Sequence, residues 1–153
     1  MIVNNVETNQ ENLLFILSQM PGHVYWKDKN GIYRGCNLMQ FKNAGFSHAA
    51  EMIGKTDFDM PWSADAEQLR KIDKQVMETG EIYTVEEPSQ LADGKQAIFL
   101  SQKMPLKNQN NEIIGVLGIS IDITEQKNLE EREKNALAEI AIANSKAQAE
   151  EEF

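Results

Sequence analysis

The stretch VYWKDKNGIYRGCN, residues Val24–Asn37, contains two runs rich in strand-forming residues on either side of Asn30-Gly31. Asparagine and glycine readily adopt the positive φ angles of a tight turn. The stretch therefore predicts a β-hairpin with strands over Val24–Lys29 and Ile32–Asn37.

The chain that follows the hairpin is helical in pattern. Leu38–Met60 predicts short helical pieces broken by Gly45 and Gly54, and Pro61-Trp62-Ser63 ends that region. Ser63 is the expected cap of a longer amphipathic helix that stops at Gly80.

Three further strands are predicted over Ile82–Gln90, Lys95–Leu106 and Glu112–Ile123, because each run is rich in apolar or β-forming residues and is bounded by turn residues. The order is two strands, several helices and three strands. An α+β fold, in which the helices pack on one face of a five-stranded antiparallel sheet, satisfies that order.

A helix is predicted at each end of the chain. Val6–Met20 has amphipathic helical spacing, and Glu125–Phe153 lacks glycine and proline and is rich in Glu, Ala, Lys and Gln. The second helix carries a broken heptad, interrupted by Glu133, that indicates a weak coiled coil: Leu129, Ala136, Ile140, Ala143 and Ala147. The expected division is 1–20 for the first helix, 21–124 for one domain and 125–153 for a linker towards a domain outside this sequence.

Composition excludes several classes of function. A net charge of -9 over 153 residues argues against a basic patch for nucleic acid or an anionic membrane surface. One cysteine and two histidines are too few for a disulfide framework or a structural zinc site.

No apolar run approaches the roughly 20 residues of a membrane span, so we expect a cytoplasmic chain without direct membrane contact. With no nucleophile, phosphate-loop or kinase motif, we expect no catalysis by this chain.

Five pieces of the sequence, in this order and spacing, resemble the PAS domain family. They are the hairpin WKDKNGIY at Trp26–Tyr33 followed by Cys36-Asn37, IGKTDFD at Ile53–Asp59, the turn Asp93-Gly94, MPL at Met104–Leu106, and IGVLG at Ile114–Gly118 with DITE at Asp122–Glu125. The resemblance covers roughly Met20–Glu125, which is nearly all of the expected folded part.

The resemblance implies a sensory module rather than an enzyme. In the family, Asp122, Ile123, Thr124 and Glu125 correspond to the joint that relays a signal from the last strand to the output helix. Thr124 is also expected to cap that helix through its hydroxyl, and Glu125 to favour the positive end of its dipole. The leading expectation is a sensor domain of a bacterial two-component histidine kinase. The alternatives are a diguanylate cyclase, a transcription regulator, or a ligand-free dimerisation module.

Some members of the family bind flavin or haem, and the cysteine and histidines of this chain bear on both. Light-sensing PAS domains carry Asn-Cys-Arg on a helix, whereas here Cys36 precedes Asn37 at a strand end, so Cys36 is expected to be a small buried residue. Haem is disfavoured because His23 and His48 are expected in loops and the helix Ser63–Gly80 has no histidine. The sequence requires no cofactor, and flavin binding stays an alternative.

A small-ligand pocket is the remaining expectation for the core. Four aromatic residues are candidates for its walls and three polar residues for its contacts: Phe41, Phe58, Trp62 and Phe99, with Asn37, Ser101 and Ser120. The alternative is that these side chains simply fill the core.

Both faces of the predicted sheet carry apolar residues. On the strand Ala97–Met104, one face carries Phe99, Ser101 and Lys103, and the other carries Ile98, Leu100, Gln102 and Met104. One face of the last strand carries Leu117, Ile119, Ile121 and Ile123. One face meets the helices and the other needs a cover. We therefore expect a homodimer that uses the N-terminal helix and the outer face of the sheet.

Overall fold

The predicted order of elements is found in the computed structural model, which describes residues 10–90 and 94–152. The elements are α1 (Gln10–Gln19), β1 (His23–Asp28), β2 (Tyr33–Cys36), α2 (Leu38–Asn43), α3 (Ala49–Met52), α4 (Ala66–Thr79), β3 (Tyr83–Gln90), β4 (Gln96–Lys107), β5 (Ile113–Asp122) and α5 (Thr124–Glu151). Two short 3-10 helices, Asp57–Asp59 and Ser63–Asp65, lie between α3 and α4. The first four residues of the predicted helix Val6–Met20 lie outside the described ranges.

The five strands form one sheet in the order β2-β1-β5-β4-β3, which confirms the predicted α+β fold. Strand β1 pairs antiparallel with β2 on one side and with β5 on the other. The register places Trp26 opposite Gly35, where a side chain would meet the indole ring. It also places Tyr25 opposite Gly118 on β5.

The predicted hairpin turn is confirmed, and Asp28 holds it closed. The Asp28 carboxylate accepts hydrogen bonds from the backbone N–H groups of Asn30 and Ile32, at 2.9 and 3.1 Å. Gly31 has a φ of 79°, so the glycine supplies the left-handed conformation that the turn needs.

The described residues group into two compact units. The first contains the chain up to Glu87 together with Leu100–Ile121, and the second contains Pro88–Phe99 and the residues from Asp122 onwards. The core of the first unit is a cluster of buried residues from the hairpin and the short helices: Tyr33, Cys36, Phe41, Ala44, Met52 and Met60. The predicted boundaries at residues 20 and 124 stay predictions.

Helix α4 begins later than predicted, and Ser63 is not its cap. Ser63 starts a 3-10 helix, and Asp65 precedes α4 without a side-chain capping bond. The reason is that Ser63 is already fixed in a turn, since its N–H donates to Met60 O and its carbonyl accepts from Ala66. The predicted stop is confirmed: Gly80 has a φ of 70° and its N–H donates to Val76 O at 2.9 Å.

Helix α5 is long and has no buried residue. The apolar residues of its expected heptad are exposed to solvent, and the exposed fractions of Leu129 and Ile140 are 55% and 56%. Within the described ranges, no helix is both long enough and apolar enough to cross a membrane.

Substituting Gly118→Ala tests the close approach of β1 to β5. A Cβ at Gly118 would lie 2.1 Å from Tyr25 Cζ, so the ring must move. We expect a loss of about 1–3 kcal/mol in the free energy of unfolding, as for other overpacked interiors, measured by urea denaturation. In a Tyr25→Leu background the same substitution should cost clearly less, and an equal cost in both backgrounds would contradict the steric explanation.

Candidate functional site

Four charged side chains are buried together in the first unit. Lys27 of β1, Asp57 of the first 3-10 helix, Asp73 of α4 and Lys103 of β4 are exposed by only 1%, 5%, 1% and 7%. Charged residues are rarely buried to this extent unless they are paired, because removing a charge from water is costly. We call these four residues the charge cluster.

The charge cluster is a continuous chain of ion pairs. Lys27 Nζ lies 2.6 Å from Asp57 Oδ2 and 2.7 Å from Asp73 Oδ2. The other oxygen of Asp73 lies 2.7 Å from Lys103 Nζ. Positive and negative groups therefore alternate from Asp57 to Lys103, and the formal charges of the four residues balance.

Aromatic side chains complete the surroundings of Asp57 and Lys27. Asp57 Oδ1 accepts hydrogen bonds from the Tyr33 hydroxyl at 2.5 Å and from Trp62 Nε1 at 2.9 Å. Lys27 Nζ lies 5.1 Å from the centre of the Tyr33 ring and 5.4 Å from that of Tyr25, within the range of cation–π attraction.

These contacts set the protonation of the cluster. Burial opposes ionisation of Asp57, but the Lys27 ammonium and the hydrogen bonds from Lys27, Tyr33 and Trp62 hold its pKa below the usual value. Burial, reinforced by Asp57, raises the pKa of Tyr33 far above its ordinary range, so Tyr33 is a neutral donor. Burial lowers the pKa of Lys103, against the attraction of Asp73.

The inner face of β4 and β5 continues from Lys103 with hydroxyl groups. Ser101 lies two residues before Lys103 on the same face of β4, and its Oγ is 2.9 Å from Ser120 Oγ on β5. This pair places two of the predicted pocket residues in direct contact.

The second unit contains the expected relay residues, and they bind the start of α5 to β4. The backbone N–H of Ile98 donates to Thr124 Oγ1 at 2.9 Å, and the N–H of Ile123 donates to the Ile98 carbonyl at 2.9 Å. An open groove of about 570 Å³ borders this joint. Its lining residues are Lys95, Gln96, Asp122, Thr124, Glu125, Asn128, Leu129 and Arg132.

Thr124 does not cap α5 as predicted, because it is the first residue of the helix and its hydroxyl is bound elsewhere. The Asp122 carboxylate takes the capping role: it accepts the Thr124 N–H at 2.9 Å and the Thr124 hydroxyl at 2.5 Å. These two bonds hold the pKa of Asp122 below its usual value. Glu125 lies exposed in the first turn, as its expected role at the helix dipole requires.

Two other predicted pocket residues belong to the core of the first unit. Phe41 is buried in the core and Trp62 packs against that core. Phe58 differs from its predicted role, since it is 57% exposed on the outer side of a 3-10 turn. Phe99 belongs to the second unit.

Asn37 is buried, but its polar atoms are committed to the backbone. Its side-chain oxygen accepts from the N–H groups of Val24 and Gln40, each at 3.1 Å, and its nitrogen donates to Gly22 O at 2.8 Å. Asn37 therefore fixes the entry into α2 and the start of β1, which explains its place in the fold without a ligand.

Cys36, His23 and His48 differ in their exposure to solvent. Cys36 is buried, and burial raises the pKa of its thiol to about 11, so it is a core residue as expected. His48 is exposed, whereas His23 differs from the prediction: it begins β1 and is partly buried, which lowers its pKa.

The charge cluster is the part of the site that the sequence interpretation missed. Two signals were present. Lys103 lies on the same face of an apolar strand as Phe99 and Ser101. Asp73 falls between Leu69 and Val76 on the apolar face of α4. A lysine and an aspartate at core-facing positions of neighbouring elements predict each other as partners.

The five-stranded antiparallel sheet, the short helices after its first hairpin and the long helix after its last strand agree with the fold that the hairpin suggested. The sequence matches the family described as PAS fold over residues 17–128. This chain belongs to that family.

Two relatives come from Vibrio cholerae. A diguanylate cyclase of serotype O1 is 28% identical over 138 residues, which cover 85% of this chain and 42% of that protein. The VqmA dimer is 27% identical with a TM-score of 0.68, over 77% of this chain and 53% of the VqmA chain. Other structures contain VqmA bound to DPO and VqmA in a ligand–DNA complex.

The fold is shared more widely. The PAS domain of Bordetella pertussis BvgS is 24% identical with a TM-score of 0.59, over 84% of this chain and 96% of that domain. The chain spans less than half the length of the curated relatives it matches. The negative charge of this chain argued against nucleic-acid binding. The comparisons do not support extending that exclusion to a longer protein that contains such a chain.

Replacing Asp57 by Asn should destabilise the fold by about 3–5 kcal/mol, the usual cost of leaving a buried ion without its partner. Asp59→Asn is the matched control, because Asp59 is exposed and caps only Thr56. The control should lose about 1 kcal/mol or less, measured by urea denaturation of both variants. Equal losses would contradict the importance assigned to the cluster.

The lowered pKa of Asp57 predicts that the destabilisation caused by Asp57→Asn depends on pH. The folded pKa of Asp57 lies below its ordinary value of 3.8, so its contribution is fully present above that pH and is lost as the pH falls through the folded pKa. The difference in stability between the natural chain and Asp57→Asn should therefore shrink below pH 3.8. A difference that stays constant through acid pH would show that ionised Asp57 is not its source.

Proposed function

We propose that this chain is a sensory module that binds a small molecule on the inner face of its sheet and transmits the change to an output domain through α5. The observation that carries the proposal is the double hydrogen bond between Ile98 and the start of α5. A helix held in this way follows the strand that holds it, because both the strand and the helix are stiff.

Strand β4 is the proposed route. It runs unbroken from Gln96 to Lys107, so Lys103 of the charge cluster and Ile98 of the joint lie five residues apart on one strand. A ligand that changes the contacts of Lys103 would strain β4, and Thr124 would pass that strain to α5. A ligand shifts such an equilibrium only through its different affinity for the two states.

We propose a diguanylate cyclase as the output domain, with a DNA-binding regulator as the second candidate. The first is supported by the V. cholerae diguanylate cyclase, whose match covers 85% of this chain, and the second by VqmA. Neither relative supports the expected histidine kinase. The proposed cellular location remains the cytoplasm, where both outputs act on nucleotides or DNA.

Ligand binding and relay can be separated by Thr124→Val, with Thr124→Ser as the control that keeps the hydroxyl. The natural chain should be stabilised against heat by DPO or by a fraction of a bacterial small-molecule extract. The same addition should change hydrogen exchange in the first turns of α5. In Thr124→Val the stabilisation should persist and the change in α5 should vanish.

Two results would contradict the proposal. Absence of stabilisation by DPO and by every extract fraction would contradict ligand binding. An unchanged α5 response in Thr124→Val would contradict the relay through Ile98.

We also propose that two copies of the chain associate through α1 and the outer face of the sheet. Three apolar residues of α1 are open to solvent, Leu13, Phe15 and Ile16, with exposures of 53%, 66% and 52%. On the outer face of β5, Leu117 and Ile119 are only partly covered and Ile121 is 40% exposed. Apolar surface of this kind usually marks an interface, and VqmA is described as a dimer.

Phe15→Glu should weaken this dimer by about tenfold or more, since a charge in an apolar interface is costly. Phe58→Glu is a closely matched control, because Phe58 has a similar exposure of 57% on a different element. Sedimentation equilibrium over a range of concentrations measures both. A monomeric natural chain, or equal effects of the two substitutions, would contradict the proposed interface.

A further inference from the structure

The open groove beside the joint is built within the second unit, between the start of β4 and one face of α5. Glu125, Asn128, Leu129 and Arg132 line it from the helix. The last three follow Glu125 by three, four and seven positions, so all four lie on one helical face. At about 1.5 Å per residue, Glu125 and Arg132 lie roughly 10 Å apart along the helix axis. We call this surface the joint groove.

The polar side chains on this face of α5 have no partner among the described residues. The side chains of Glu125, Asn128 and Arg132 are exposed and make no hydrogen bond or ion pair there. The adjoining face of the same two turns differs, because Glu130 Oε2 lies 3.5 Å from Lys127 Nζ. Charges on that face attract each other within the helix, whereas the charges of the joint groove stay available to an outside partner.

An apolar side chain separates the two charges of the helix. Leu129 lies between Glu125 and Arg132 along α5, and 55% of it is exposed. Lys95 and Gln96 line the groove from the other side, at the start of β4. The joint groove therefore has an apolar middle, with a carboxylate towards one end and a guanidinium towards the other.

The charges that line the joint groove balance, which limits what can bind there. Lys95 and Arg132 are positive, and Asp122 and Glu125 are negative. A simple anion would meet the two carboxylates, and a simple cation would meet the two basic groups. An occupant that carries both a positive and a negative group matches this pattern, because complementary charges select the partner.

The shape of the joint groove favours a segment of polypeptide over a small molecule. Small molecules usually bind in enclosed sites that bury about 70–90% of their surface, whereas this groove of about 570 Å³ is open. In an extended segment, every second side chain points to the same side, so residues i, i+2 and i+4 span about 13 Å. Flexible side chains at i and i+4 can then reach Glu125 and Arg132 while the middle one covers Leu129.

We infer that the joint groove docks an extended segment of a partner protein in which a basic, an apolar and an acidic side chain alternate, in either order along the chain. The inference goes beyond the proposed function, because it needs no ligand on the inner face of the sheet. A segment that contacts both β4 and α5 would reinforce the hydrogen bond between Ile98 and Thr124. It would thus give the output helix a second, separate input.

Three blocked pentapeptides test the charge pattern: KALAE, its reverse EALAK, and KALAK. Each is titrated into the whole chain while backbone amide signals are followed by nuclear magnetic resonance. KALAE or EALAK should move the signals of Gln96, Asn128 and Arg132, and KALAK should bind about three- to fivefold more weakly, as expected for one surface ion pair. The net charge of -9 favours KALAK without specificity, so overall charge cannot produce this preference.

Arg132→Glu should reverse the preference, because both ends of the helical face are then acidic. KALAK should bind to this variant more tightly than KALAE or EALAK by about three- to fivefold. Lys134→Glu is the matched control, since Lys134 is exposed on α5 outside the groove and the net charge changes equally. The control should keep the preference of the natural chain, and a reversal in both variants overturns the role of Arg132.

Three further results would overturn the inference. The first is the absence of shifts with both KALAE and EALAK, and the second is equal shifts of the same signals with inorganic phosphate, which would indicate an anion site. The third is movement of these signals with the concentration of the chain alone, which would make a second copy the occupant. Absence of any inner-face ligand would contradict the proposed function and leave this inference standing.

Discussion

The structure of the first unit depends on one arrangement, the buried charge cluster of Lys27, Asp57, Asp73 and Lys103. Each residue comes from a different element, so the cluster connects β1 and β4 to α4 and to the first 3-10 helix. Buried ion pairs are weak sources of net stability, because desolvation offsets much of their attraction. Their value lies in geometry: any other register of β1 or rotation of α4 would leave a buried charge alone.

Apolar packing around the cluster is less particular. The core cluster from Tyr33 to Met60 consists of ordinary apolar side chains, apart from the Tyr33 hydroxyl that reaches Asp57. Such cores tolerate exchange of similar side chains. The Tyr33 hydroxyl and the Trp62 indole N–H instead connect the apolar core to the charges. The position of the core side chains and the position of Asp57 therefore depend on each other.

Much of the fold was predictable because it depends on local sequence patterns. The Asn30-Gly31 turn, the stop at Gly80 and the alternation of β4 each depend on residues close in the sequence. The ion pairs were not predicted, because their partners lie 30 to 46 residues apart and only the folded chain brings them together. Thr124 was misread for the same reason: its hydroxyl is taken by Ile98, 26 residues earlier in the chain.

The predicted pocket shows the limit of choosing residues by type. Phe58 and Asn37 have suitable chemistry, but one is exposed and the other is used by the backbone. Ser101 and Ser120 do meet, beside a lysine that was noticed only as a member of the same strand face. Strand β4 then links this face, through Ile98, to the start of α5 in the second unit.

If the four charges act as one unit, a double-mutant cycle between Lys103→Met and Asp57→Asn should reveal their cooperativity. Among the described contacts of the cluster, Asp57 and Lys103 share no hydrogen bond and are joined through Lys27 and Asp73. If the cluster is cooperative, the free energies of unfolding should deviate from additivity by about 1 kcal/mol or more. Additivity to within about 0.3–0.5 kcal/mol would show independent ion pairs and contradict the account.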